Sequence, residues 1–428
     1  MLPVVLVAAA CAACGSSSSD VNSAEANSGS GSAAAPADAS VAVVADAAPP
    51  APPKAGHDFI ADIRVLYRVA ACGAQDEPLP EALTHGDADR TAKLQKIVDA
   101  HCKALAPVMA KFKDDYFRDA RAWFVAHEPK DLPRAAIYPF GGGDVEAALV
   151  AFPDATDITT LSLELAGDPR KIESLSPQEL DQNLAAFRKD AAPMIGADTN
   201  LSVNLSDQQR NAIAAQLSTH LLGMAAGGYE PVSARFFTLD DAGAVHYLEQ
   251  TDIDADTKPG KSLRDNWKAP KFAQSFGNVE IEFRKVGDPK DVRVFRHIAW
   301  DLGDAGLKKK PGALAFLESK GKVAVCVKGA VYLLWQNDFS TLRDYLLKNL
   351  VWMVSDSTGI PPNYAEPGGM VQEAYGKFEA PLLKQAFGTK SDKAMRKLFE
   401  TPTDTIAFQF GYLDHYNHKH LVITKPKT

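Results

Sequence analysis

Tyr138 and Asp144 flank a run of three glycines in AIYPFGGGDVEAALVAFPD, residues 136–154. The stretch reads as a strand that turns through Gly141, Gly142 and Gly143 into a helix. Glycine lets a backbone approach a ligand closely, so three roles compete for this turn: a phosphate cradle, a polar or catalytic corner, and a plain bend. A nucleotide-type cradle needs a lysine and a Ser or Thr after its glycines, whereas Asp144, Val145 and Glu146 follow here. An aspartate at a helix start accepts the free amide groups itself and answers the positive end of the helix dipole. It therefore repels an anion, and the expected form is a tight bend with its own acidic cap. The alternative is a polar-ligand corner. There Asp144 meets a cation, an amine or sugar hydroxyls, and Asp356, Thr358 and Tyr364 of SDSTGIPPNY approach from a second loop.

The histidines offer less. His220 lies on the apolar face of a helical pattern and reads as a core residue. His297, beside Arg296, reads as part of a solvated sheet face. In LDHYNHKHL, Asp414, His415, His418 and His420 have the donor types of a transition-metal site. They fall where a hairpin should turn, and His, Asn and Lys are ordinary turn residues, so no metal or other cofactor is expected. Neither the Gly-x-Ser-x-Gly elbow nor the His-Glu-x-x-His zinc motif occurs, which disfavours the commonest hydrolases.

These groups sit in a chain of 428 residues, 46% hydrophobic and 23% charged, with a formal net charge of -8. The balance suits a globular body and has the wrong sign for a nucleic-acid partner. The first residues, MLPVVLVAAACAACGSSSSD, run from apolar to small side chains and then meet Cys11 and Cys14. This resembles a bacterial lipoprotein signal, cleaved before a cysteine that takes the lipid. Cys14, followed by glycine and four serines, is the expected site, with Cys11 as the alternative. No Lys or Arg precedes the apolar run, where a secretory n-region is basic, so the true start is expected upstream. Residues 15–56 are rich in Ser, Ala, Pro and Gly and read as a tether that cannot offset its ordering entropy. No aspartate follows Cys14 to hold the protein at the inner membrane, so the expected address is the outer membrane, reached through the N-terminal lipid. Outside the cytoplasm disulfides persist, and a Cys72–Cys102 bridge is expected. Cys326 in KVAVCVKG is expected to be a buried thiol.

Residues 57–131 carry helical periodicity, with Phe59, Ile63, Leu66 and Tyr67 on one face, and form an expected N-terminal helical subdomain. Residues 132–428 then read as an α+β domain, helices packed on a mostly antiparallel sheet. Ser176-Pro177-Gln178-Glu179 and Ser206-Asp207-Gln208-Gln209 are helix starts of capping-box type. The second helix carries Ile213, Leu217, Leu221 and Met224 inward. VSARFFTLDDAGAVHYLEQ and NVEIEFRKVGDPKDVRVFRHIAW alternate as half-solvated hairpins. DFSTLRDYLLKNLVWMV reads as one amphipathic helix through Met353, and TIAFQFGYLD and HLVITK as a final strand pair.

IYPFGGGDVEAALVAFPDATDITTLSLELAG resembles a stretch in a family of uncharacterised secreted or envelope-associated bacterial proteins. In that family a Tyr-Pro-Phe-Ser-Gly-x-Asp turn precedes a helix, a Phe-Pro-x-Ala bend and a strand. The likeness continues at IAWDLGDAGL, DFSTLRDYLLKNLVWMVSDSTGIPPNY, YGKFEAPL and FGY, covering residues 132–424. Gly141 stands where serine is usual, and Asp356-Ser357-Thr358-Gly359 replaces a more acidic turn. The resemblance implies kinship and export, not a chemistry. Two functions remain: a lipid-anchored envelope module that binds an envelope component or small ligand, and an extracytoplasmic hydrolase of an envelope glycan, peptide or lipid. A metal-binding role through the C-terminal histidines is a third.

Overall fold

Among the described residues ten strands form one mixed sheet, ordered β4-β3-β5-β6-β2-β1-β7-β8-β10-β9. They are β1 (Ala135–Pro139), β2 (Asp157–Ser162), β3 (Tyr229–Leu239), β4 (Val245–Tyr247), β5 (Asn278–Lys285), β6 (Val292–Ala299), β7 (Val323–Val327), β8 (Leu350–Ser355), β9 (Met370–Gly376) and β10 (His420–Pro426). Five of the nine pairings are antiparallel and lie towards the two ends of the sheet. The four parallel pairings join β6, β2, β1, β7 and β8 in the centre. The computed structural model describes residues 55–197, 212–261 and 270–427. The expected signal, with Cys11 and Cys14, the expected tether up to residue 54 and the expected helix start at Ser206–Gln209 lie outside the described residues.

Helices cover both faces of the sheet. On one face lie α1 (Ile60–Val69), α2 (Ala88–Phe112), α3 (Arg121–His127), α4 (Val145–Ala151), α5 (Pro177–Ala197) and α6 (Ala215–Ala226). A π-helical segment, Lys113–Ala120, joins α2 to α3. On the other face α7 (Ser340–Asn349) and the short helices Asp304–Lys309 and Gly312–Ser319 seal a second core around Ile137, Leu161, Val325 and Met353. Strands covered on both sides read as continuous apolar runs, and all five residues of β7, VAVCV, are buried, including Cys326.

The N-terminal helices share the first of these cores. Phe59 packs edge-on against Phe236 and Phe276, the Tyr67 hydroxyl donates to the Tyr229 carbonyl at 2.8 Å, and Asp58 Oδ1 accepts from Ala234 N at 2.9 Å. Residues Pro53–Thr428 thus form one compact unit. The Cys72–Cys102 disulfide is present, tying the end of α1 to α2 across 30 residues. At α5 the capping box forms: Glu179 N donates to Ser176 Oγ at 3.3 Å, and Ser176 N to Glu179 Oε2 at 2.8 Å. Among the described residues no helix is long and apolar enough to cross a membrane.

Several elements differ from the sequence reading. The helix beginning at Ser340 stops at Asn349, and Leu350–Ser355 is strand β8. Both faces of β8 are buried, and a short, fully apolar run has no period that separates strand from helix. HLVITK forms β10, but its partners are β8 and β9 rather than TIAFQFGYLD. The latter is a loop that turns at Gly411, φ +70°. The expected solvated face at β5 and β6 is partly closed over: Glu280 is buried and bonded to Arg296 Nη2 and the Tyr247 hydroxyl, both at 2.7 Å. His297, on the opposite face, is fully buried against His220 of α6.

Candidate functional site at the β1/β7 switch point

The chain leaves β1 through α4 to reach β2 on one side, and leaves β7 through α7 to reach β8 on the other. The connections diverge between β1 and β7. In sheets of this kind such a divergence opens a crevice at the carboxyl ends of the strands, where ligands bind. Gly141–Asp144 follows β1, Lys328 follows β7 and Asp356 follows β8, so the two loops singled out in the sequence meet at this edge.

The glycine turn is tight. Gly141 N donates to the carbonyls of Tyr138 at 3.2 Å and Leu161 at 3.1 Å, and Asp144 N to the Gly141 carbonyl at 2.9 Å. Gly142 adopts φ +45°, and Gly143 lies so close to Thr219 of α6 that a Cβ there would come within 2.1 Å of the threonine oxygen. Asp144 occupies the N-cap position of α4 but its side chain makes no capping bond, which corrects the expected acidic cap. A stronger partner takes it: Lys328 Nζ lies 2.9 Å from Asp144 Oδ2, and the Tyr138 hydroxyl donates to the same oxygen at 3.0 Å. Both ion-pair partners are buried. A charge-assisted bond inside the protein outweighs an exposed backbone cap.

Glu146, in the first turn of α4, completes the cluster. Burial is the main force pushing its carboxyl well above the ordinary value, the Asp144 charge and a hydrogen bond to Asp144 add to it, and Lys328 opposes them. Glu146 therefore holds its proton and donates it to Asp144, leaving the Asp144–Lys328 ion pair and a neutral acid. Neither Asp144 Oδ1 nor Glu146 Oε2 receives a bond from an N–H or hydroxyl donor, and the shared proton explains how carboxyl oxygens persist there. Above Glu146 Oε2 sits Gly223 of α6, where a Cβ would approach to 2.6 Å.

Beside the cluster runs a crevice of about 10 Å³, lined by Phe112, Tyr116, Ala147, Val150 and Phe410 together with Glu146 and Lys328. A volume of that order holds about one water molecule. Tyr116 belongs to the π-helical segment, and single π turns within helices frequently mark functional sites.

Asp356 sits near the same lysine but has a different task. Its oxygens accept from Gly329 N, Tyr412 N and Thr358 N at 2.8 Å each and from the Thr358 hydroxyl at 2.5 Å. Thr358 Oγ1 in turn accepts from Ala330 N at 2.9 Å. Both side chains are fully buried, so they tie the loops after β7, β8 and Gly411 together rather than face a ligand. The loop after β7 carries strain: Val331 and Tyr332 adopt φ +52° and +58°, a region that costs non-glycine residues about 1–3 kcal/mol. Tyr364 does not join the cluster. Its hydroxyl donates to Asn337 Oδ1 at 3.4 Å and Arg343 stacks on its ring, on the α7 side of the sheet.

The remaining candidates are structural. His220 is fully buried and held neutral by burial, with His297 adding to the effect, and its ring lies 5.2 Å from that of His297. His297 is pushed down to about 4, chiefly by burial, and bonds Thr160 Oγ1 at 3.1 Å and the Glu164 carbonyl at 2.7 Å. At the C-terminus Asp414 accepts from Glu379 N, Tyr416 N, His418 N and His418 Nδ1, which builds a turn. His420 instead points between Phe378 and Phe399, and His415 packs on Phe387 and Tyr416. Among the described residues one set of three metal-ligand types converges, Cys72, His101 and Cys102. Its sulfurs are bonded to each other, and the His101 nitrogens are taken by the Ala70 carbonyl and Arg188.

Two members of the cluster escaped the sequence reading as site residues. Lys328 is the first polar residue after the apolar run VAVCV, and Glu146 is the lone acid inside the otherwise apolar helix VEAALVA. A charged residue directly at the end of a buried strand, or alone on an all-buried helix, is the signal that marks each. Comparison with family models, with curated proteins and with solved structures found no match to this chain.

Proposed function

We propose that this protein is a lipid-anchored bacterial envelope protein whose folded body binds a ligand or partner at the β1/β7 end of its sheet. The observation that carries the binding half is the compensated cluster beside the crevice. Lys328 and Asp144 cancel, Glu146 is neutral, and Asp356 is saturated by backbone donors. Groups whose charges are balanced in this way recognise a ligand through fixed positions and have no unspent charge to drive bond breaking. The lipoprotein-type start, the Ser/Ala/Pro tether and the disulfide support the location, and the resemblance to envelope-associated proteins agrees with it.

Two measurements test the proposal. Labelled palmitate should enter the wild-type protein and be lost in Cys14→Ala; retention in that variant and loss in Cys11→Ala moves the lipid to Cys11. No incorporation in either, with the uncleaved chain in the cytosol, defeats the location. Thermal-shift screening against envelope fragments tests binding, and a ligand response unchanged in Asp144→Asn removes the site.

One observation favours the hydrolase reading: a protonated Glu146 beside an ionised neighbour has the form of an acid–base pair. Hydrogen-bonded carboxyls are closer than the roughly 5 Å or more that glycosidases need, so a peptide bond suits such a pair better than a glycan. Turnover of an envelope peptide that disappears in Glu146→Gln would establish it.

A further inference from the structure

Of the large apolar side chains left exposed among the described residues, two are aromatic, Phe387 and Tyr416, and both belong to one patch. The exposed ring of His415 joins them, edge-on to Phe387 at 5.6 Å and to Tyr416 at 5.3 Å between centroids. Each aromatic residue sits at a turn: Gly388, φ +72°, follows Phe387, and Asn417, φ +66°, follows Tyr416. A Cβ at Gly388 would meet nothing within 4 Å, so the Phe387 turn stands clear of the body.

The charge around these rings is one-sided. Residues 384–397, KQAFGTKSDKAMRK, hold five cations and one acid in a chain whose formal net charge is -8. The acid, Asp392, is buried and already engaged: Arg396 bonds both its oxygens at 3.0 Å, and Gly388 N donates to Oδ2 at 2.7 Å. That leaves Lys384, Lys390, Lys393 and Lys397, all exposed, and among the described residues none of the four has an ion-pair partner. The helix Lys390–Leu398 begins at Thr389, whose hydroxyl accepts from Asp392 N at 3.0 Å, and it turns Ser391, Asp392 and Met395 inward. Positions 390, 393 and 397 then share its outer face. A lysine face led by an exposed aromatic has the composition of a membrane-surface segment. Ammonium groups meet phosphates there, and rings settle at headgroup level. The patch sums to +4 (5 − 1) and the rest of the chain to −12 (−8 − 4). A flexible polyanion wrapping the body would meet repulsion, whereas a flat anionic surface touches the patch alone.

We propose that this patch is a docking face for an anionic lipid surface, with the four lysines against headgroup phosphates and Phe387 and Tyr416 set between the headgroups. The inference rests on the anchored-envelope reading above for the presence of a bilayer. An N-terminal lipid brings the body within reach of it, and the patch decides which side of the body faces it.

The test is co-sedimentation with vesicles, using the full chain as Cys11→Ala/Cys14→Ala so that no acyl chain takes part. The quantity read is the affinity for an equal mixture of phosphatidylcholine and phosphatidylglycerol divided by the affinity for phosphatidylcholine alone. Each lysine at such a surface contributes about fivefold, so the ratio should exceed about a hundredfold at low salt. It should fall towards unity in about 1 M salt, where screening acts within about 3 Å. Lys390→Gln/Lys393→Gln should lower the ratio about twentyfold. Lys93→Gln/Lys96→Gln removes the same charge from α2, on the other face of the sheet, and should leave the ratio within about twofold. Phe387→Ala/Tyr416→Ala should weaken binding to the anionic vesicles about tenfold. Equal losses from the two lysine pairs, or a wild-type ratio near unity, overturn the proposal. So does binding to dextran sulfate that is as tight as to the anionic vesicles and unchanged in Phe387→Ala/Tyr416→Ala, which assigns the patch to a soluble polyanion. If the vesicles bind as expected while labelled palmitate stays out of the native protein, the docking face stands and the anchor falls. If palmitate enters and the ratio is near unity, the anchor stands and the docking face falls.

Discussion

At the scale of single residues, Glu146 has the most to tell. Its carboxyl titrates from about 4.5 when unfolded and well above that when folded, so the folded state keeps a proton that the unfolded state has lost. Stability from this proton is complete below pH 4.5 and declines as the pH rises through the folded value. His297, depressed to about 4, acts in the opposite sense: its contribution is present above its usual 6.5 and is lost as the pH falls towards 4. The windows overlap, so the wild-type profile alone mixes them. Urea unfolding of wild type and Glu146→Gln from pH 4 to pH 8 separates them, and the variant should gain on the wild type steadily as the pH rises. Parallel curves would mean that Glu146 is ionised in the folded protein. Asp144 was legible in the sequence as a helix-start acid, but its partner was not. Lys328 lies 184 positions away (328 − 144) in the chain, and only the pairing of β1 with β7 brings it there.

At the scale of elements, α6 and the glycine turn are a fitted pair. Gly223 sits over Glu146 Oε2 and Gly143 over Thr219. Alanine at 223 should gain about 1 kcal/mol of helix propensity and lose more than that by overpacking, about 1–3 kcal/mol. The net change is a lower denaturation midpoint, and Glu146→Ala should relieve much of the loss in a double-mutant cycle. An additive cycle would separate the two residues. The same scale shows where sequence patterns inform and where they fail. The capped helix start at Ser176 and the hairpin turning at Asp241–Gly243 were readable because their signals are local. β8 was read as helix because Leu350 and Met353 extend the spacing of α7, and burial on both faces erases the alternation that would have marked a strand. The parallel centre was likewise hidden, since strand direction depends on crossovers that leave no local mark.

At the scale of the whole molecule, the helical residues from 57 to 131 and the sheet share a core, and the disulfide fastens the first two long helices of that assembly. Closing a loop of 30 residues constrains the unfolded chain by about 3.5 kcal/mol in the entropic model. The double variant Cys72→Ala/Cys102→Ala should lose stability of that order in chemical denaturation. An unchanged midpoint would show that helix packing alone sets the arrangement. The two larger core clusters, one on each face, also mean that damage to either should unfold the sheet as a unit, giving coincident transitions by fluorescence and circular dichroism.

The last strand holds a position with consequences for how the protein is made. β10 lies between β8 and β9, paired with β9 from His420 to Pro426 and with β8 from Val422 to Thr424, so residues late in the chain complete an interior part of the sheet. Until residue 426 is available, β8 and β9 each present a bare edge, and such edges recruit other chains. Removing residues 420–428 should yield aggregate rather than a slightly weaker monomer, with sedimentation as the measure.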